Sequence, residues 1–174
     1  MKKIAILYWG KGGNVEKAAK VIFNQFDPQT TDLFALDSIN TNSLTGYKLV
    51  ILGGSTVGAE NWEETTNDNR WNHFFREIEN KDFSGVTFAV FGLGNQVLYP
   101  ANFVDALGIF HEAISKTGAR IIGAWPTVGY KFTDSDGLQK DSFYGLALDE
   151  DTQPDLTLER SKQWTDILKK EMKF

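Results

Sequence analysis

Cysteine is absent from these 174 residues. That excludes disulfides, thiolate nucleophiles and cysteine-ligated iron–sulfur clusters. Histidine is scarce. Only His73 and His111 occur, too few to argue for a metal centre, so none is expected. Both fall on helical patterns and read as surface or packing residues. Basic charge is in deficit: 18 Lys and Arg stand against 23 Asp and Glu, a net charge of −5. A protein that grips nucleic acid through phosphates needs the opposite sign. No apolar run approaches the roughly 20 residues of a membrane span. The first apolar run, residues 4–8, is too short for a signal peptide, so a cytoplasmic chain without membrane insertion is expected. There is no nucleophile–base arrangement and no carboxylate pair in a catalytic context. No catalytic residue is assigned.

The chain is 41% hydrophobic and 13% aromatic, enough to bury the core of one domain over residues 1–174. The stretch that organises it runs from residue 3 to residue 19, KIAILYWGKGGNVEKAA. Here an apolar run stops at Gly10, Gly12 and Gly13, and a helical pattern opens after Asn14. Glycines let backbone N–H groups converge, and a helix N-terminus adds partial positive charge, so the turn suits an anion. A tight turn without a ligand is the alternative reading. The nucleotide-triphosphate loop is excluded, because Asn14-Val15 stands where Lys-Ser or Lys-Thr is required. The dinucleotide fingerprint is excluded too, because Val15 occupies its third glycine position.

Further strands are expected over residues 31–36, 48–53, 86–91 and 120–125, with an extended pattern resuming over 143–148. Helices are expected over residues 14–26, 71–78, from about 99 to 117, and 158–172. Residues 126–141 are rich in Gly, Asp, Thr and Ser and read as an insertion. Alternating strands and helices imply an α/β doubly wound parallel sheet of five strands, helices on both faces. Glycine-rich loops follow the first, third and fourth strands, so all three meet at one rim. In such sheets ligands bind beyond the carboxyl ends of the strands.

The segments FAVFGLGNQVLYPANFVDALG, GARIIGAWPTVGYKF and GLALDEDTQPDLT carry a more specific signal. With them the chain resembles flavodoxins of the long-chain type over essentially its whole length. The resemblance implies a flavodoxin-like fold whose fifth strand is interrupted by an insertion. It also implies bound flavin mononucleotide (FMN) and one-electron transfer between redox proteins at low potential. The acidic balance would then steer basic partners, a flavin or iron–sulfur reductase and its client. A monomer is expected. Two alternatives stand beside this reading: a flavin-dependent NAD(P)H:quinone reductase, and a flavodoxin-like binding module without FMN.

Position by position, the resemblance implies a phosphate loop spanning Trp9, Gly10, Lys11, Gly12, Gly13, Asn14 and Val15. The family has hydroxyl residues where this chain has Gly10, Gly12 and Val15. A hydrogen bond to a charged group is worth about 1.5–3 kcal/mol. Backbone amides, the Asn14 side chain and Lys11 are expected to offset the loss. The second loop implies contacts from Ser55, Thr56, Val57 and Gly58. Val57 replaces the tryptophan that commonly stacks on the flavin, and Trp62 is considered for that role, with packing under the loop as the alternative. Gly58 would permit a peptide flip toward the flavin N5. The third loop implies Gly92, Leu93 and Gly94 at the pyrimidine edge and Tyr99 stacked on the isoalloxazine. Asn95 replaces an acid there and would repel the reduced, anionic flavin less. Asn102 would support the loop. Asp151 matches an acid near the ribityl chain, although the run Asp149-Glu150-Asp151 also reads as a solvated turn.

Overall fold

The computed structural model describes residues 3–57 and 69–174. The elements, in chain order, are β1 (Ile4–Tyr8), α1 (Asn14–Phe23), β2 (Thr31–Ala35), β3 (Leu49–Gly54), α2 (Arg70–Ile78) and β4 (Thr87–Leu93). Then come α3 (Ala106–Ser115), β5 (Arg120–Ile121), β6 (Trp125–Pro126), β7 (Leu138–Gln139), β8 (Ser142–Phe143), β9 (Leu146–Leu148) and α4 (Thr157–Met172).

Every residue of β1 and β3 is buried. Strands covered on both faces lie at the centre of a parallel sheet, and these do. The order is β2-β1-β3-β4-β5, all parallel, with Ile6 registered against Leu33 on one side and Ile51 on the other. This is the doubly wound topology the alternation implies. Val15, Ala18, Ala19 and Ile22 form the buried stripe of α1, at the spacing expected for one helical face. Trp164 and Leu168 do the same for α4. The core is one contiguous cluster, anchored by the fully buried Phe88, Phe91, Phe103, Phe110 and Trp164.

The fifth strand is in two pieces. β5 pairs with Thr87 and Phe88 at the start of β4, and β9 pairs with Phe91, Gly92 and Leu93 at its end. The expected strand over 120–125 is therefore shorter, and Trp125 belongs to a separate antiparallel sheet, β6-β8-β7. Gly123 explains the break. Its φ is +85°, and a Cβ there would stand 2.6 Å from Leu168 and 2.9 Å from Trp164. The Trp164 indole N–H donates to the Gly123 carbonyl at 2.7 Å and fixes the departure point. Phe143 likewise sits in β8 rather than in the resumed strand, which begins at Leu146.

Two helix boundaries differ from the sequence reading by more than two residues. α1 ends at Phe23, and residues 24–26 close a tight turn through Phe26 N–H to Phe23 C=O. α3 starts at Ala106, not near Tyr99. Val104 has φ +52°, a left-handed conformation that a β-branched residue rarely takes and that no right-handed helix can include. No described helix is long and apolar enough to cross a membrane.

Candidate functional site

Beyond the carboxyl ends of β1, β3 and β4 lies a cleft of about 900 Å³. Three loops and the turn after β9 build it. From the first loop come Gly10, Gly13, Asn14 and Val15; from the second, Ser55, Thr56 and Val57. The third contributes Leu93, Gly94, Asn95, Tyr99 and Asn102, and the turn after β9 contributes Glu150 and Asp151. A second groove of about 370 Å³, between α2 and α3, lies away from the strand ends.

At the α1 end the first intrahelical bond runs from Lys17 N–H to Gly13 C=O. The amides of Asn14, Val15 and Glu16 precede it, so the helix leaves them for another acceptor. They are the natural cradle for an anion. Two further amides of the loop have internal partners. Gly13 N–H donates to Gly10 C=O at 3.1 Å, and Gly12 N–H donates to Glu16 Oε2 at 2.7 Å. Glu16 also meets Lys20 at 2.6 Å. The Gly12 amide first, and then Lys20, holds its carboxyl below the usual range. Lys11 turns outward to Asp37, Nζ to Oδ2 2.6 Å.

The third loop is closed by Asn95. Its Oδ1 accepts from Val97 N–H at 3.0 Å and Leu98 N–H at 2.8 Å, while Nδ2 donates to Asp151 Oδ2 at 3.1 Å. The carboxamide thus caps its own turn and ties two walls of the cleft together. Tyr99 N–H donates to Asn95 C=O at 2.9 Å, and Tyr99 C=O accepts from Asn102 N–H at 3.1 Å. Tyr99 stays 51% exposed on the rim. Asn102 Nδ2 donates to Asp105 Oδ2 at 2.9 Å and ties the end of this loop to the residue before α3. Ser55 Oγ donates to Leu93 C=O at 3.2 Å and joins the second loop to the third.

Behind these walls sits Asp149, with no exposed surface. Its Oδ2 accepts from Gln96 N–H at 3.1 Å, Gln96 Nε2 at 2.9 Å and Thr152 Oγ1 at 2.5 Å. Its Oδ1 accepts from Asp151 N–H at 3.2 Å and Thr152 N–H at 2.9 Å. Burial pushes this carboxyl upward, but the bonds from Thr152 and Gln96 outweigh it and hold it below the usual range. Gln96 reaches further: its Oε1 accepts from Lys131 N–H at 2.5 Å, which fastens the insertion to the third loop. Asp149 is therefore not part of a solvated turn.

Among the residues singled out from sequence, Trp9, Lys11, Gly12 and Gly92 do not line the cleft. Lys11 is drawn to Asp37, and Trp9 lies beneath cations, with Lys11 at 5.5 Å and Arg70 at 5.7 Å from its ring. Gly12 gives its amide to Glu16. Gly92 lies within β4, where a Cβ would meet Leu107 at 3.1 Å, so its place is a packing one. Gly58 and Trp62 lie outside the described residues. Sequence reasoning missed Val104, Asp105, Ala106, Ile109 and Glu150, which complete the lining, and Asp149 behind it. The first four fell inside an assumed helix. The last two are obscured by an acidic run whose burial no pattern announces. His111 stacks on Tyr144 at 3.8 Å, a packing role. No group of His, Cys, Asp or Glu among the described residues could hold a metal.

A doubly wound sheet with this cleft at its switch region defines a class, the α/β proteins that bind a nucleotide-like ligand at their strand ends. The Flavodoxin family model matches residues 6–164, and the chain belongs to the flavodoxin family. A flavodoxin of Nostoc sp. is 38% identical over 170 residues, covering 98% of this chain and 97% of that protein. Flavodoxin 1 of Escherichia coli is 38% identical over 168 residues, covering 96% and 93%. The crystal structure of Fusobacterium nucleatum flavodoxin bound to flavin mononucleotide superposes with a TM-score of 0.85 at 26% identity, covering 98% of this chain and 99% of that one.

Proposed function

We propose that this chain is an electron-carrier flavodoxin that binds FMN in the cleft at the strand ends. The observation that carries the reading is the pairing on one rim of the α1 amide cluster with the half-exposed Tyr99 ring. One end suits a phosphate and the other a flat aromatic system. The residues fit the group. The cleft of about 900 Å³ is of the size that holds a cofactor. When bound, FMN supplies the redox chemistry, and the protein supplies binding, orientation and electrostatics.

Each wall has a task. The amides of Asn14, Val15 and Glu16, with the Asn14 side chain, hold the phosphate. Leu93 and Gly94 bring backbone groups to the pyrimidine edge, and Thr56 and Val57 close the opposite side. Tyr99 covers one ring face. Asn95 keeps a neutral group where a carboxylate would disfavour negative charge. Asp151, engaged by Asn95, would face the ribityl chain.

The exposed Val97 and Leu98 lie next to Tyr99, and the chain carries a net charge of −5. The apolar pair favours docking on a protein surface, and the acidic balance favours basic redox partners, a reductase and its client, with electrostatic steering setting the encounter rate. We take the carrier to be a single-domain cytoplasmic monomer.

The experiment is electron acceptance. The FMN-loaded protein should be reduced rapidly by NADPH only in the presence of a flavin- or iron–sulfur-containing reductase, and should pass electrons on to cytochrome c. Steady NADH or NADPH consumption with a quinone and no reductase would show a quinone reductase instead.

A further inference from the structure

The α1 loop offers an anion few side-chain donors. No residue from Trp9 to Val15 carries a hydroxyl. Within that stretch the side-chain donors are the Asn14 amide, the Lys11 ammonium and the Trp9 indole. Two acids flank the same turn, Glu16 and Asp37, and each has one lysine at 2.6 Å: Lys20 for Glu16 and Lys11 for Asp37. Within these two pairs the charges cancel before a dianion arrives.

The two lysines are not equivalent. Lys20 is the i+4 neighbour of Glu16 on α1, and its removal would leave that carboxylate facing the anion. Lys11 sits between Gly10 and Gly12, both at positive φ, +110° and +77°, on the most pliable backbone of the loop. Its ammonium is half-exposed, as an exchangeable surface pair should be. Asp37 would not be stranded if Lys11 left. The Arg70 charge also acts on Asp37, and Arg70 approaches the far partner of this group, Trp9, at 5.7 Å from the ring.

The geometry points to Lys11 as an exchangeable phosphate ligand, held on Asp37 until the dianionic end of the flavin nucleotide draws it over, with Asp37 as the competing acceptor. Lys11 then adds to the α1 amides and the Asn14 side chain in distinguishing FMN from a flavin lacking the phosphate. The inference rests on the FMN reading and deepens it.

A hydrogen bond to a charged group carries enough energy for roughly a tenfold change in affinity, even after a surface ion pair is given up. Apoprotein is titrated with FMN and, separately, with riboflavin, which has the same ring system and no phosphate. Quenching of flavin fluorescence gives both dissociation constants. Lys11→Gln should weaken FMN binding about tenfold and leave riboflavin within twofold. Asp37→Asn should tighten FMN binding by roughly two- to fivefold, again sparing riboflavin. The Lys11→Gln effect should shrink as salt rises from 50 to 500 mM.

An equal loss of both flavins in Lys11→Gln, or no loss of either, would overturn the inference while the FMN reading stands. Weaker FMN binding in Asp37→Asn would overturn the competition between acceptors. A wild-type protein that binds neither flavin would overturn the FMN reading itself and this inference with it.

Discussion

Replacing Asp149 by asparagine removes one charge at almost constant volume, so no cavity complicates the result. Five hydrogen bonds converge on this carboxylate, two on Oδ1 and three on Oδ2. Asparagine must place an NH2 group at one of those two positions, and every partner there arrives as a donor. One orientation puts the NH2 at Oδ1 and breaks the two bonds from the Asp151 and Thr152 amides. The other breaks the bonds from both Gln96 donors, and only the Thr152 hydroxyl can turn round to accept. At about 1.5–3 kcal/mol for each bond to a charged group, two broken bonds cost about 3–6 kcal/mol. Domains of this size have about 5–15 kcal/mol in all, so the loss is a large fraction. Urea unfolding of the apoprotein at pH 7 measures it, as a lower midpoint at constant slope. FMN affinity should fall as well, because the Gln96 and Thr152 anchors hold the two turns that face the cofactor. A loss of stability below about 1 kcal/mol would refute the claim that this carboxylate braces the site.

The same group sets a pH dependence. A carboxyl held below its unfolded value of about 3.9 contributes stability above that value and loses it as pH falls through the folded one. Unfolding free energy should therefore drop below about pH 4, and Asp149→Asn should flatten part of that slope in urea titrations from pH 7 to 3. Tyr99→Ala should weaken FMN binding by about 1–2 kcal/mol, roughly five- to thirtyfold, with little change in apoprotein stability because the ring is half-exposed; flavin fluorescence titration and urea unfolding separate the two effects. Asn95→Asp would set a carboxylate against Asp151, 3.1 Å away in the present pair, and should make the potential for full reduction of bound FMN more negative. Redox titration checks the direction, and a shift upward would contradict it.

Much of the fold is legible in the chain because its signals are local. The runs at Ile4–Tyr8 and Leu49–Gly54 are apolar at every position and could only be doubly covered strands. The stripe of α1 repeats at helical spacing. What was not legible depends on distant partners. Nothing near Gly123 announces that Trp164 and Leu168, some forty residues on, leave no room for a side chain there. Nothing near Val104 announces a left-handed residue, so the helical periodicity from Phe103 onward masked the turn. The cleft shows the same division. Gly10, Asn14, Gly94 and Tyr99 stand in glycine-marked loops and were found, whereas Asp149 looks like surface acid until Gln96 and Thr152 are folded against it. Lys11 shows the limit in the other direction. Its sequence position places it in the glycine-rich loop after β1, and only the structure shows that Asp37 holds it.

The most direct test is stoichiometry. Purified apoprotein titrated with FMN at micromolar concentration should quench the flavin fluorescence to a sharp end point at one FMN per chain, with a shifted, structured visible absorption band. An unchanged spectrum and unquenched fluorescence at equimolar and excess FMN would contradict the assignment of the cleft.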